Sequence, residues 1–313
     1  MAKTVYVLGE LNVDMIAGGR DVTPEWNKEK LLERFNLVLG SSSAITAVVL
    51  AGLGLDVRFV SIVGDDALGR FCVDALTAMN VDTSRVVFDP SRATGVTLSL
   101  SGEKDRALLT YLGTIPLLQP EHLPEELYEQ ADHIHFGSYY LQDGMREHWK
   151  DVFGKARQQG CSTSFDTGWD IREEWLPESI SELLPFTTLF IPSRDELTAI
   201  YGVGDEHEAL QKLPAENGTV AVKRGSAGAL IRTKDGLLLE RPAYRITPID
   251  TTGAGDSFNA GLIYAHLQGL SPAESLDFAS ACGAMATLRI GGASKAPAVE
   301  EVRSFMEEHT FAE

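Results

Sequence analysis

Cysteine and positive charge are both scarce in this chain of 313 residues. The cysteines, Cys72, Cys161 and Cys282, are odd in number, far apart and without the spacing of metal ligands. We expect buried thiols in a reducing compartment, which excludes a disulfide-stapled fold and makes the cytoplasm the expected location. Lysine and arginine number 27 against 45 aspartate and glutamate residues, a net charge of −18. This balance provides no basic surface for a phosphate backbone or an anionic bilayer, so neither nucleic acid nor a membrane is an expected partner.

Long apolar runs, repeats and linkers are also lacking. No stretch approaches the roughly 20 apolar residues that span a bilayer, and the N-terminus is typical of a first strand rather than a signal peptide. The length suits one large α/β domain or two ordinary ones. We expect a single domain over residues 1–313.

The chain does contain a regular alternation of two patterns. Short β-branched and apolar runs, typical of buried parallel strands, lie at 4–8, 57–63, 133–136, 162–165, 187–191 and 219–222. Helical patterns lie between or after them at 44–53, 67–79, 147–157, 194–201, 257–267 and 299–311. This repetition predicts an open, mainly parallel sheet with helices on both faces.

Two segments, about 11–40 and 93–113, break this alternation. In the second, the alternating runs 95–101 and 106–112 flank the turn-forming residues 102–105, which predicts a β-hairpin. A hairpin projecting from an α/β sheet is either a lid that excludes water or an edge addition. We take the lid as the working hypothesis, with Tyr111 near the substrate.

The stretch Asp250-Thr-Thr-Gly-Ala-Gly-Asp-Ser-Phe-Asn-Ala-Gly261 carries the strongest chemical signal. Gly253 and Gly255 permit backbone angles closed to other residues, and a helix begins near Asp256. Amides at a helix start attract an anion such as a phosphoryl group. Asp256 at that point is either a general base or a helix cap. The loop is neither a Walker A nor a dinucleotide motif, because it lacks Gly-Lys-Ser/Thr and has Phe258 where the third glycine would stand.

This stretch resembles the C-terminal signature of the ribokinase-like (PfkB) carbohydrate kinases. Further family markers follow in the family's order, at Gly9-Glu-Leu-Asn-Val-Asp14, Leu50-Ala-Gly-Leu-Gly54, Gly64-Asp-Asp-Ala-Leu-Gly69, Pro192-Ser-Arg-Asp-Glu196 and Val222-Lys-Arg-Gly225. The resemblance implies a three-layer α/β/α sandwich with a mainly parallel central sheet and a small β-sheet lid formed by the segments about 11–40 and 93–113. Because the lid is often the dimer interface in relatives, it also implies a homodimer.

The resemblance further implies ATP-dependent phosphorylation of a hydroxymethyl group on a small carbohydrate. Asp256 matches the family's catalytic base, with the anion hole at Gly253, Ala254 and Gly255. The positions that match the sugar site are Asn12, Asp14, Gly40, Ser41 and Ser42. Those that match the nucleotide and Mg²⁺ side are Ser193, Glu196 (through water to Mg²⁺), Lys223, Gly225 and Gly228. Asp250 and Thr252 match a monovalent cation site, K⁺ in relatives, completed by carbonyls near 289–292.

The sequence departs from the family at two sites. Ile45 stands where relatives have a sugar-binding Asn, and residues 41–43 are three serines that either supply hydroxyls to the sugar or form a helix N-cap. Ser193 replaces the Asn of the family's Asn-x-x-Glu element. Because Ile45 cannot replace the Asn hydrogen bond, the substrate's hydroxyl pattern is expected to differ from that of ribose.

Several residues allow more than one interpretation. The basic residues of the lid segments are either partners for a phosphorylated sugar or solvated surface: Arg20, Lys28, Lys30, Arg34, Lys104 and Arg106. Phe136, Tyr139 and Tyr140 either stack on a nucleoside base or belong to the core. The turn at 225–228 is a nucleotide contact or a plain hairpin, and residues 281–286 line an adenine site or allow close packing. A non-catalytic sugar or nucleotide sensor is a further class, and an oxidoreductase is disfavoured by the missing glycine fingerprint.

Overall fold

The computed structural model describes residues 2–102, 106–214, 216–292 and 295–312. Its strands are β1 (Thr4–Leu8), β2 (Asn12–Gly18), β3 (Arg34–Leu39), β4 (Asp56–Gly64), β5 (Asp82–Asp89), β6 (Gly95–Ser101), β7 (Arg106–Tyr111), β8 (His133–Phe136), β9 (Ser162–Phe165), β10 (Leu189–Phe190), β11 (Thr219–Lys223), β12 (Ala229–Arg232) and β13 (Leu238–Arg241). Its α-helices are α1 (Ser42–Gly52), α2 (Ala67–Ala78), α3 (Leu127–Gln130), α4 (Trp149–Gln158), α5 (Pro177–Leu183), α6 (Arg194–Tyr201), α7 (Glu206–Lys212), α8 (Ala254–Leu267), α9 (Pro272–Thr287) and α10 (Val299–Glu308).

Among the described residues, nine strands form the central sheet, in the order β13-β12-β11-β10-β9-β8-β1-β4-β5. Neighbouring strands from β11 to β5 pair in parallel, and β12 and β13 add an antiparallel edge. The predicted mainly parallel sheet is confirmed. The chain first builds outward from β1 through β4 to β5 and then returns to β8 on the other side, so the order reverses between β1 and β8.

Helices cover both faces of this sheet, because successive strand side chains point to opposite sides. In β1, Val5 and Val7 belong to one buried cluster, which also contains the apolar faces of α1, α2, α8, α9 and α10. Tyr6 and Leu8 belong to a second cluster with the faces of α3 to α7. The arrangement is the expected three-layer sandwich. Within the described residues, no helix has the length and apolarity needed to cross a membrane.

A separate four-stranded sheet has the order β3-β2-β6-β7. It comes from the two segments that broke the sequence alternation, and β6 and β7 pair as the predicted hairpin. Of the turn predicted at 102–105, residues 103–105 lie outside the described part of the chain. The register places Phe35, Leu37, Leu109 and Tyr111 on one face of the sheet, and Asp14 on the other. Tyr111 therefore does not share the face of the expected sugar residue Asp14, contrary to the expectation that it lies near the substrate.

Some predicted bounds were wrong. The run 187–191 forms a strand only at Leu189–Phe190, because a 3₁₀ helix, Leu184–Phe186, ends immediately before Thr187. The helix expected at 147–157 begins with a 3₁₀ turn, Arg146–His148, and becomes α-helical at Trp149. The cysteines are buried and free, as expected.

Candidate active site

The polar groups of the candidate site lie beyond the carboxyl ends of the parallel strands, where ligands bind in open α/β sheets. Glu10 follows β1 and Ser138 follows β8, the two strands at which the sheet order reverses. The Ser138 hydroxyl donates to Glu10 Oε1 at 3.0 Å. Asp166 follows β9, and Lys223 ends β11. The strand order therefore brings residues from distant parts of the chain to one edge.

The glycine loop ends at the start of α8, as predicted. Gly253 is the N-cap and has φ 74°, and a Cβ there would lie 2.5 Å from Gly292 Cα. Only glycine tolerates both the left-handed backbone and this approach. The Ala254 amide donates to Thr251 O, but no hydrogen bond among the described residues is donated by the amides of Gly253, Gly255 or Asp256. Amides without partners at the positive end of a helix dipole can bind an anion, so the predicted anion hole stays a prediction that this geometry allows.

Asp256 lies in the first turn of α8, partly accessible to solvent but closely surrounded by protein. The Ser42 hydroxyl donates to its Oδ1 at 2.5 Å, and Thr46 Oγ1 donates to its main-chain carbonyl at 3.2 Å. Burial raises the pKa of Asp256 to about 7, and the nearby negative charge of Asp166 adds to the rise. A carboxyl group with a pKa near neutrality can take and release a proton at working pH.

An ion pair between Lys223 and Asp166 lies beside the start of α8. Lys223 Nζ donates to Asp166 Oδ2 and, at 3.2 Å, to Asn259 Oδ1, while Asn259 Nδ2 donates to Asp166 Oδ2 at 2.7 Å. Burial alone would raise the pKa of Asp166, but the Lys223 charge and the hydrogen bonds hold it below its usual range. Burial likewise opposes the charge on Lys223, yet its carboxylate neighbours raise its pKa. A Cβ at Gly255 would lie 3.5 Å from Lys223 Nζ, so a cation borders the glycine loop.

Glu196 lies in the first turn of α6. Ser193 caps this helix, with its amide donating to Glu196 Oε2 at 2.7 Å and its hydroxyl accepting from the Glu196 amide at 3.2 Å. Burial, and then the Asp166 charge, raise the pKa of Glu196. The Ser193 hydroxyl is thus engaged as a helix cap.

The carboxylates of this corner suit a hydrated magnesium ion. Asp166, Glu196 and Asp256 place three acidic groups around the Lys223 ammonium, an excess of negative charge that a divalent cation would offset. The described residues contain no group of three or more His, Cys, Asp or Glu side chains that could hold a metal alone. Mg²⁺ commonly keeps several waters and binds one or two carboxylates plus substrate phosphates, so Glu196, through water, fits it.

The predicted sugar residues also come together. Asn12 is buried, and its Nδ2 donates to Asp14 Oδ1 at 3.2 Å. A Cβ at Gly40 would lie 2.3 Å from Asp14 Oδ1 and 2.7 Å from Asn12 Nδ2, so the missing side chain makes room for both. These three residues form one polar patch on the face of the small sheet that carries Asp14.

The serines at 41–43 are engaged inside the protein. Ser41 caps α1 by accepting from the Ala44 amide at 3.0 Å, and its hydroxyl donates to Glu10. Ser43 Oγ donates to Glu10 Oε2 at 2.7 Å. The Ser42 hydroxyl donates to Asp256. The N-cap interpretation is therefore right for Ser41, and each hydroxyl already donates its proton within the protein.

Ile45 has a packing role. It is buried, and its side chain lies against Gly253 and Gly292, where it supports the glycine loop from behind. An apolar side chain in this position offers no hydrogen bond to a sugar, as the sequence indicated.

The turn at 225–228 is a hairpin between β11 and β12. The Arg224 amide donates to Gly228 O at 2.8 Å, and residues Gly225–Ala227 form a 3₁₀ turn. Nothing lies within 4 Å of a Cβ built on Gly225, so one side of the turn is open space. The hairpin interpretation is confirmed, and it leaves room for a ligand there.

Asp250 and Thr252 are held beside the 289–292 loop. Asp250 Oδ1 accepts from the Thr252 amide and Oδ2 from the Gly291 amide, each at 2.9 Å. Of the two interpretations of residues 281–286, close packing is confirmed, and the adenine site stays a prediction. A Cβ at Gly283 would lie 3.0 Å from Ala254 O, so α8 and α9 pack closely, and Met285 and Ala286 line a cavity with Ser257 and Gly292.

Packing and ion pairing decide the roles of the aromatic residues and of three basic lid residues. Phe136, Tyr139 and Tyr140 are at most 3% exposed and belong to the core, so the nucleoside-stacking hypothesis for them is wrong.

Three basic residues of the lid segments have acidic partners at the surface: Arg20 with Glu33, Lys28 with Glu25, and Lys30 with Asp21 and Glu25. Lys104 lies outside the described residues, as does the side chain of Arg106.

Sequence reasoning missed three members of the site, Glu10, Asp166 and Asn259. Glu10 and Asn259 lie within the quoted motifs, and Asp166 directly follows a predicted strand. That position at the carboxyl end of a buried strand was the available signal for Asp166. Nothing in the sequence pairs it with Lys223, which is 57 residues away.

Comparisons with known proteins show the family of this chain. A family model described as pfkB family carbohydrate kinase matches residues 2–299. The aminoimidazole riboside kinase of Salmonella typhimurium is 28% identical over 99% of this chain and 97% of its own length. The ATP-dependent ribose-1-phosphate kinase of Halopiger xanaduensis is 30% identical over 92% of this chain and 93% of its own.

Solved structures give the same result. Aminoimidazole riboside kinase from Salmonella enterica, complexed with aminoimidazole riboside and an ATP analogue, superposes with a TM-score of 0.80 at 26% identity, covering 97% of this chain and all of that one. Ribokinase from Arabidopsis thaliana reaches 0.86 at 22% identity over 98% of this chain and 99% of its own, which supports the ribokinase-like fold. Because the family model spans nearly the whole sequence, this chain belongs to the pfkB family of carbohydrate kinases.

Proposed function

We propose that this kinase transfers the γ-phosphoryl group of ATP to a hydroxymethyl group of a small carbohydrate, with Asp256 as the general base. The observation that carries the proposal is the juxtaposition at the start of α8. Asp256 stands in the same helical turn as amides that have no partner among the described residues. A base and an anion hole one residue apart are what an in-line attack by an alcohol on a phosphoryl group requires.

In the proposed reaction, the acceptor hydroxyl gives its proton to Asp256 as its oxygen attacks the γ-phosphorus. The bond from that phosphorus to the bridging oxygen breaks, and ADP leaves. The amides of Gly253, Gly255 and Asp256 stabilise the charge on the γ-phosphoryl oxygens, whereas the Ala254 amide is already bonded to Thr251 O, and Lys223 adds a positive charge at Gly255. When bound, Mg²⁺ would be held by Glu196 through water and would offset phosphate charge.

Local charge compensation matters here because the whole chain carries −18. ATP brings further negative charge, so net attraction cannot drive its binding. The contacts proposed for the nucleotide are Lys223, Ser193 and the turn that Gly225 and Gly228 form, which is open at Gly225 and packed against the main chain of Arg241 at Gly228. We place a K⁺ site at Asp250 and Thr252, next to the glycine loop that it would stabilise.

We place the acceptor between the Asn12, Asp14 and Gly40 patch and Asp256. The small sheet β3-β2-β6-β7 carries that patch and is proposed to act as the lid of a single kinase domain. Its opposite face presents Phe35, Leu109 and Tyr111, each between 57% and 59% exposed. An apolar face of this kind marks an association surface. We propose that a second copy covers it, giving a homodimer.

The substrate remains a choice among small carbohydrates that resemble ribose, fructose or a keto-sugar acid. Among the relatives, one is named for a nucleoside-like riboside and one for a sugar phosphate, so both classes belong in the test. The buried ring cluster around Phe136 and Tyr139 removes the specific argument for a nucleoside. The ion pairs of Arg20, Lys28 and Lys30 weaken the argument for a phosphorylated sugar.

A coupled ADP-release assay tests the proposal. The panel contains pentoses, hexoses, keto-sugar acids, nucleosides and sugar phosphates, each with Mg²⁺ and with or without K⁺. We expect acceptor-dependent ADP release with an unphosphorylated carbohydrate and none without an acceptor. If ATP binds but no acceptor supports turnover, the protein is a sensor of the same fold and the proposed function fails.

A further inference from the structure

Helix α1 holds Asp256 at two points. Ser42 Oγ donates to the carboxylate Oδ1 at 2.5 Å, and Thr46 Oγ1 donates to the main-chain carbonyl at 3.2 Å. Because residues four apart in a helix lie on one face, both hydroxyls reach α8 from the same side. No hydrogen bond among the described residues involves Asp256 Oδ2, so one carboxylate oxygen is held and the other is open.

The start of α1 is itself fixed by Glu10, which is 2% exposed. Its carboxylate accepts from the Ser43 amide at 3.2 Å and from the hydroxyls of Ser41, Ser43 and Ser138 at 3.1, 2.7 and 3.0 Å. Burial raises the pKa of Glu10, and these donors oppose the rise. The anchored helix turn leaves Ser42 little freedom to move away from Asp256.

We propose that Ser42 is a positioning residue for phosphoryl transfer, which binds Oδ1 of Asp256 so that Oδ2 faces the acceptor hydroxyl and receives its proton. The inference rests on the proposed function, because it assumes that Asp256 is the base. It changes the role expected for Ser42 from a sugar contact to a contact with the catalytic carboxylate. No atom of Ser42 is transferred in the reaction.

Ser42 also affects the protonation of Asp256. A hydrogen bond donated to a carboxylate favours its charged form. Asp166 beyond β9 and Glu10 beyond β1 oppose that form, while Lys223 at the end of β11 favours it. Removing the Ser42 hydroxyl takes away one of the two groups that keep the base ionised near neutral pH.

The test compares Ser42→Ala and Ser42→Thr with the wild type. Ser41, not Ser42, caps α1, so both variants keep the cap and are expected to fold. Ser271→Ala is the matched control, since it removes a serine hydroxyl that bonds a carboxylate, Glu274, at the start of α9, beyond the end of α8 opposite to Asp256. The readouts are kcat and KM with the acceptor found in the panel, the pH profile of kcat/KM, and a ¹³C carboxyl titration of Asp256.

We expect Ser42→Ala to lower kcat by roughly 10- to 100-fold with acceptor KM within about threefold. The midpoint of the acidic limb of the kcat/KM profile and the midpoint of the Asp256 carboxyl titration should both move up by roughly one pH unit, because a hydrogen bond to a charged group is lost. Ser42→Thr should keep most of the activity, and Ser271→Ala should match the wild type.

Three results would overturn the inference. One is an unchanged kcat and titration midpoint in Ser42→Ala. Another is a raised acceptor KM in Ser42→Ala with kcat and the titration midpoint unchanged, which would make Ser42 a sugar contact. The third is Ser42→Thr behaving like Ser42→Ala. Failure of the proposed function is separate: it would appear as turnover retained in Asp256→Asn, or as no acceptor at all, and the carboxyl titration still decides the role of Ser42.

Discussion

Protonation of Asp256 should set the pH below which the enzyme loses activity. Burial and the Asp166 charge raise its pKa to about 7 in the free enzyme, and a general base works only when deprotonated. We predict that kcat/KM for the acceptor rises with pH through a midpoint near 7 and levels off above it. Initial rates between pH 5.5 and 9 at saturating ATP and Mg²⁺ check this. A profile that is flat or falls between pH 6 and 8 would argue for another base.

Lys223 should contribute to both turnover and stability, and a double variant separates the two. Lys223→Met leaves the buried Asp166 carboxylate without its cation, which typically costs about 3–5 kcal/mol of unfolding free energy. It also removes the positive charge beside Gly255. We predict that Lys223→Met loses stability and at least tenfold in kcat, and that Asp166→Asn with Lys223→Met regains stability but not kcat. Urea unfolding and steady-state rates measure the two effects. Recovery of kcat in the double variant would restrict Lys223 to a structural role.

At the level of secondary-structure elements, the small sheet offers a pair of adjacent leucines with opposite roles. Leu108 and Leu109 in β7 are 54% and 59% exposed but point to opposite faces of the sheet. Leu109 shares the face of Phe35 and Tyr111, whereas Leu108 shares the face of Asp14. We predict that Leu109→Asp gives a monomer in light-scattering chromatography, because a charge in an apolar interface is costly. Leu108→Asp is the matched control and should leave the oligomer intact. Equal masses for both variants would place the interface elsewhere.

The elements were largely predictable because their signals are local. The β-branched runs predicted the parallel strands. Gly253 and Gly255, followed by an apolar run, predicted a helix start near Asp256, and α8 begins two residues earlier. The missed strands β5 and β13 are the two edges of the central sheet, and neither contains the continuous buried run that is typical of an interior parallel strand.

The site was less predictable, because its key contacts join residues far apart in sequence. Ser42 and Asp256 are separated by 214 positions, and Asn259 and Asp166 by 93. Sequence motifs marked Ser42, Asp256 and Lys223, but only the strand order reveals which of them touch. The hydrogen bonds that Ser41 and Ser43 donate to Glu10 could not be derived from local patterns for the same reason.

Across the whole molecule, buried histidines should set the response of stability to acid. His133 and His135 are fully buried and His266 is mostly so, and burial lowers the pKa of each, to about 4 for His135. The folded state keeps these rings neutral while the unfolded chain protonates them near pH 6.5. Between those values the unfolded state binds more protons, so the stabilisation is complete above pH 6.5 and is lost as the pH falls toward 4.

His135→Gln tests how much one buried histidine contributes to this pH dependence of stability. We predict that the variant loses about 3 kcal/mol less unfolding free energy than the wild type between pH 7 and 4. His148→Gln changes an exposed ring and serves as the control. Chemical denaturation at several pH values measures the difference. Parallel pH curves for the wild type and His135→Gln would show that His135 is protonated in the folded state.

The most direct test of phosphoryl transfer by Asp256 is a comparison of turnover and ATP affinity in Asp256→Asn. Loss of a general base typically costs about 10² to 10⁴ in rate. We predict a fall in kcat of at least that size, with ATP affinity by calorimetry within about threefold of the wild type and with Asp195→Asn, an exposed acid in α6, unchanged in both. Turnover above about one tenth of the wild-type value in Asp256→Asn would contradict the account.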